Sequence, residues 1–220
     1  MSKAIAATQA SDRLAGVLAI ATALGSIVLL AAHPQDRARD FAELVQGEAR
    51  NQIQNLIVHG GFAVVLSIQI VCFGFLSSRL EASARFASRA AIAFFAIGVA
   101  WMSASLLMDG LVTPAIAVRY ADQTETVRPL FVLVGAIVRF AMPLGLGFQT
   151  LAIWCWGAAM LGAGLRVFAA IVWLLGVVLV VAIGAGASGA MPMALMGAFL
   201  AMAIWGIIAG VVLLRGKPAG

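Results

Sequence analysis

Six long apolar runs, separated by short segments that hold most of the charge, constrain what this chain can fold into more than any other feature of its sequence. A helix needs about 20 predominantly apolar residues to cross a hydrocarbon core. Runs at 14–32, 56–75, 90–108, 140–161, 167–183 and 193–214 meet or approach that length. Only 10% of the 220 residues are charged and 63% are hydrophobic, with a mean hydropathy of +1.06. An ordinary soluble domain carries about 25% charged residues, so so much apolar surface does not fit one soluble core. The reading is an all-α, polytopic transmembrane helical bundle of about six spans forming a single domain over 1–220.

The connections carry their own information. In 35–55 the residues Phe41, Leu44, Val45 and Ile53, with Leu56 just beyond, recur at loosely helical spacing among Asp, Glu, Arg, Gln and Asn. That pattern predicts a short interfacial helix lying on the membrane. The basic link with Arg79, Arg85 and Arg89 is short, which makes the second and third spans antiparallel neighbours. After Asp109-Gly110 the apolar stretch 111–118 is interrupted by Pro114, and the sequence allows either a helix extension or a re-entrant bend. The segment 129–161 is too long for one upright span and contains Arg139 and Pro143, so its membrane core is placed at 140–161 with the earlier part tilted or kinked. The fifth span ends in an uncharged turn, Gly184-Ala185-Gly186-Ala187-Ser188-Gly189, and the sixth stops at Arg215-Gly216-Lys217-Pro218. Gly184, Gly186, Gly189 and Gly197 suit close approach of the last two helices.

Lys3 and Arg13 before the first run resemble a signal peptide, but Leu30-Ala31-Ala32 is a poor cleavage site and the segment reads as a retained helix. Basic residues near span ends set orientation. With the N-terminus inside, the cytoplasmic segments collect Lys3, Arg13, Arg79, Arg85, Arg89, Arg166, Arg215 and Lys217 against Asp12 and Glu81, while the outer segments are balanced. Both termini are thus expected in the cytoplasm of a bacterial-type inner membrane. The net charge of +5 is spread between apolar blocks, a distribution that fits membrane lipids as partners and not nucleic acid. Cys72 and Cys155 lie inside apolar runs and read as packing residues.

Ionisable groups at membrane depth cost at least about 2.5 kcal/mol on insertion scales, so each is a candidate for function. His33 closes the first span, His59 lies one turn into the second, Asp109 closes the third and Arg139 precedes Pro143. All four fall toward the outer side. Such a group could bind a transition metal, with His33 and His59 as ligands, hold haem between two axial histidines, or stabilise an anionic head group through Arg139. Plainer readings stand beside these: wetted interfacial histidines, and an Asp109–Arg139 ion pair joining two helices. The deeper polar residues Gln69, Ser103, Ser105, Gln149 and Thr150 suit interhelical hydrogen bonding or a lined polar path.

Ser11-Asp12-Arg13-Leu14-Ala15-Gly16-Val17-Leu18 followed by an apolar run with Gly25 resembles the start of the DUF4386 family of bacterial six-helix membrane proteins. Gly145-Leu146-Gly147-Phe148-Gln149 through Trp154, and on to Trp173-Leu174-Leu175-Gly176-Val177, is similar to that family's fourth and fifth helices. The resemblance implies six helices and supplies no catalytic residues.

No GxGxxG after a strand, and no Walker A, GxSxG or HExxH pattern, occurs, so nothing specifies a reaction. The leading expectation is a non-enzymatic membrane protein that binds a small or lipidic ligand, a partner membrane helix or a second copy of itself, through His59, Asp109 and Arg139 with Gln69 and Gln149. One alternative is a metal or haem redox protein using His33 and His59. Another is a small solute or proton-coupled transporter with Gln69, Ser103 and Gln149 lining a path and Asp109 carrying a proton. Against the last stands the absence of an internal repeat.

Overall fold

In hydrocarbon every backbone N–H and C=O must be satisfied within its own segment, and a chain this apolar meets that demand with helices. The computed structural model describes residues 2–34, 38–187 and 191–215, apart from the side chains of 2–8, 186–187 and 191–195. Among the described residues the elements are α1 (Ser2–Ala31), α2 (Phe41–Arg50), α3 (Gln52–Leu80), α4 (Arg85–Leu107), a π-turn at Met108–Val112, α5 (Thr113–Arg119), α6 (Thr124–Gly162), α7 (Arg166–Ala187) and α8 (Met191–Leu214), with no strand. Six helical segments are long and apolar enough to cross a membrane.

Those six form a closed ring. Each of α1, α3, α4, α6, α7 and α8 packs on the next, and α8 returns to pack on α1. Glycines let backbones approach at two of the seams: a Cβ on Gly98 of α4 would lie 2.8 Å from the Gly145 carbonyl oxygen of α6, and one on Gly16 of α1 would lie 2.9 Å from the Gly210 oxygen of α8. Gly184 and Gly197, expected to serve this purpose between the last two helices, have nothing within 4 Å of a Cβ position. Gly186 and Gly189 lie outside the described side chains. The ring is filled toward one end by Phe73, Phe95, Trp156 and Trp205. Trp156 stacks on Trp205 with centroids 4.9 Å apart, and its Nε1–H donates to Ser77 Oγ at 2.8 Å.

Several boundaries differ from the sequence expectation, each for an identifiable reason. The second span begins at Gln52 instead of 56, because Gln54 donates from its first turn to the Ala32 carbonyl at 2.7 Å and the polar residues there are helical. The helix that holds the fourth run is Thr124–Gly162, 39 residues with Pro129 and Pro143 inside it, so the earlier part, expected to be tilted or kinked, continues the same helix as 140–161. The stretch after Asp109 is a helix extension, so the third span continues to Arg119.

At about 1.5 Å per residue, the 35 residues of 85–119 and the 39 of α6 reach roughly 52 and 58 Å, well beyond the ~30 Å hydrocarbon core. Their shared end projects from the bundle and meets α2. Val45 of α2, Ala117 of α5 and Val127 of α6 are buried against one another, Phe41 packs edge-on to Phe131, and the Arg128 guanidinium sits 4.4 Å over the Phe41 ring. The interfacial helix expected over 35–55 is thus only Phe41–Arg50, and its apolar face covers α5 and α6. Residues 35–37 lie outside the described residues. Asp40 caps α2 by accepting from the Glu43 N–H at 2.8 Å.

Candidate metal centre

Pro114 has no N–H to give the Gly110 carbonyl, and its ring crowds that carbonyl in a regular helix. The chain responds by widening: Met108–Val112 forms a π-turn, and both the N–H and Oγ1 of Thr113 turn back to the Met108 carbonyl, the latter at 3.1 Å. Such turns often re-aim a side chain at a functional position. Here Asp109 is directed at α3, and its Oδ2 stands 3.3 Å from His59 Nε2.

His59 is buried. Its Nδ1 lies 3.0 Å from the Asn55 carbonyl oxygen one turn earlier, and since a carbonyl only accepts, Nδ1 carries the proton. Asn55 is held in turn by Nδ2–H donating to Glu48 Oε2 of α2 at 2.8 Å. His33, just past the end of α1, is built alike: its Nδ1 donates to the Pro34 carbonyl at 2.8 Å. Each imidazole therefore keeps Nε2 as its free nitrogen. The two rings meet edge to face with centroids 5.0 Å apart, and one ligand-capable atom from each of His33, His59 and Asp109 lies within 4.8 Å of the other two.

With Nδ1–H committed to Asn55, a neutral His59 would turn a lone pair toward a carboxylate oxygen at 3.3 Å. Two acceptors at that separation repel unless a cation lies between them. A proton on Nε2 serves one such pair; a metal ion serves all three groups. The 3.3 Å spacing of the His59–Asp109 pair matches the edge of a tetrahedron with bonds of about 2.0–2.1 Å, as around zinc, while the group of three, spread over 4.8 Å, would have to close in for one ion to touch all of them. Haem fits poorly, because two rings in edge contact leave no slot for a porphyrin between them.

No protein-family model matches the chain, and no curated protein or solved structure matches it.

Beside His33 opens a cleft of about 370 Å³ between α2 and the start of α3, with Arg39, Glu43, Glu48, Arg50 and Asn55 on its walls. Arg39 is paired with Glu43 at 2.8 Å. The remaining candidates lie elsewhere. Arg139 is exposed on α6, outside the cluster, and no Asp109–Arg139 pair occurs among the described residues. Gln69 and Gln149 line a separate cavity in the middle of the ring, with Ser26; its volume of about 10 Å³ is near the minimum for a single water. Gln149 Nε2 is buried there without a protein partner. Ser103 is half-buried on α4 and is not part of that lining, so the three polar groups expected to mark one path do not share a wall.

Sequence reasoning missed Glu48, Asn55 and Gly110. Pro114 was the available signal for the third: a proline four residues after Asp109-Gly110 marks where a helix that continues must widen.

Proposed function

We propose that the chain is an integral membrane protein whose α2 end carries a divalent transition-metal site, most naturally zinc, liganded by His33, His59 and Asp109. The observation that carries this reading is that both imidazoles donate Nδ1–H to backbone carbonyls and leave Nε2 free beside one carboxylate, the outer-shell arrangement by which proteins fix metal-ligating histidines. Three protein ligands with a fourth position open is the pattern of zinc sites that exchange water or substrate; closed structural sites have four.

The α2 end is on the outer side in this proposal. Arg13, Arg79, Arg85, Arg89, Arg166 and Arg215, against Asp12 and Glu81, collect at the opposite end, which the positive-inside rule assigns to the cytoplasm of a bacterial-type inner membrane. The sequence resemblance to the DUF4386 family would agree with six spans and would add no ligand.

The test is elemental analysis of detergent-purified protein after dialysis against a zinc buffer, wild type beside His33→Ala, His59→Ala and Asp109→Asn. One zinc per chain is expected in wild type and well under half that in each variant, all remaining folded by circular dichroism. Wild-type protein that retains no zinc, cobalt or iron would end the proposal and leave His59–Asp109 as a protonated ion pair.

A further inference from the structure

We infer that the middle of the ring is a second binding site, separate from the metal centre, whose ligand is a single water molecule held by Gln149, Gln69 and Ser26.

Gln149 carries most of the argument. It is 1% exposed, and its Nε2 has no hydrogen-bond partner in the protein. An amide nitrogen only donates, and buried donors are nearly always satisfied, by protein or by ordered water. The side chain has little room to turn away. Its stem is packed over the seam between α4 and α6, where a Cβ on Gly98 would stand 2.8 Å from Gln149 Cγ.

The surroundings define the ligand. Gln149 lines a cavity of about 10 Å³ together with Ser26 of α1, Gln69 of α3, Met102 of α4 and Met202 of α8. In the ring α6 stands across from α1, so the polar groups come from opposite walls. Ser26 donates its hydroxyl hydrogen to the Thr22 carbonyl at 2.9 Å, and its oxygen keeps lone pairs with which to accept. The Gln69 amide offers both a donor and an acceptor. A water accepting from Gln149 Nε2–H and bonding to Ser26 and Gln69 would have about three partners, the usual number for a buried water, in a volume of about one probe sphere. Anything larger is excluded by size. An ion is opposed by charge, because none of the described residues lining the cavity is charged and a lone ion in the membrane interior would be unpaired.

The site is distinct from the outer centre in depth as well as in chemistry. Ser26 lies seven residues before His33, and Gln69 ten after His59. At about 1.5 Å per residue, that places the water roughly 10–15 Å further into the bundle.

The test is X-ray hydroxyl-radical footprinting of the full chain in detergent, which makes radicals from water where it sits and is read methionine by methionine in a mass spectrometer. Met102 is 1% exposed and lines the cavity, while Met160 is 0% exposed and does not. Met102 is expected to be oxidised in the wild type and Met160 spared. Gln149→Leu fills the same space with apolar atoms and removes the unpartnered donor, so it is expected to bring oxidation of Met102 down to the level of Met160. Equal protection of the two methionines in the wild type would overturn the inference, and that comparison needs no variant. Unchanged oxidation of Met102 in folded Gln149→Leu protein would overturn it too. Both measurements are made on protein stripped of metal by a chelator, so their outcome does not depend on the metal proposal.

Discussion

Replacing Gly110 by valine is expected to weaken the proposed metal binding by at least about 100-fold, the upper end of what outer-shell changes cost, although Gly110 offers no ligand. The glycine is buried in the π-turn, face to face with the His59 ring. A Cβ there would overlap His59 Cβ and Cγ and lie 2.7 Å from Nδ1. Those are atoms at the root of the imidazole, so no rotation about its outer bonds relieves the clash. Either the ring leaves its Asn55 acceptor or α4 moves away from α3, and both separate His59 Nε2 from Asp109 Oδ2. Titration with zinc against a competing chelator measures the loss, and near-wild-type helicity in the variant confirms that the effect is local. Wild-type affinity in Gly110→Val would mean that His59 is not held where the site requires it.

The second large effect is expected at the seam between α6 and α7, where two Trp-x-x-Gly units interlock. Trp154 Nε1–H donates to the Trp173 carbonyl at 3.4 Å, and Trp173 Nε1–H donates to the Trp154 carbonyl at 3.2 Å. Each indole lies over the glycine one turn beyond the other tryptophan: Trp173 over Gly157 and Trp154 over Gly176. A Cβ at either glycine collides with Cδ1 and Nε1 of the facing indole. Gly157→Val and Gly176→Val should each cost about 1–3 kcal/mol, the range for overpacking a close-fitting interface. Much of that is lost packing, because a hydrogen bond between membrane helices contributes only about 0.6 kcal/mol on average. Reversible unfolding in mixed micelles reports the cost, and values within 0.5 kcal/mol of wild type for both variants would mean that the glycines are not needed for the approach. The double variant is expected to cost less than the sum, since the first substitution already parts the helices that the second would push.

How much of this was legible in the sequence depends on the range of the interaction. The spans are a matter of composition and length, so six apolar runs in the chain became six long helices. Their ends were not legible where polar residues continue a helix beyond the membrane: 124–139 carries Glu125, Arg128 and Arg139 yet belongs to α6, because α2 and α5 give its apolar face something to cover. Of the ionisable residues singled out, His33, His59 and Asp109 converge because their helices end on the same side of the ring. Arg139 has a comparable place along its helix but an exposed side chain, and a helix's rotation about its own axis is set by packing that the local sequence does not state. The links through Asn55 and Glu48 depend on α2 folding back over α3, a contact between segments with no shared motif.

The closure of the ring by α1 against α8 bears on how the molecule is made. The seam joins Gly16 to Gly210, so α1 enters the bilayer before the residues that complete its environment have been synthesised. At roughly 5–20 residues per second, the 193 residues between those two glycines correspond to a wait on the order of 10–40 s. During that interval α1 must persist as a lone helix in lipid, or beside α3 only, with Ala15, Ala19 and Ala23, all buried in the finished ring, still open to other occupants. A ribosome that pauses before α8 would therefore leave a five-helix arc with an open small-residue seam, the form most readily taken up by a membrane chaperone, a quality-control protease or the wrong helix.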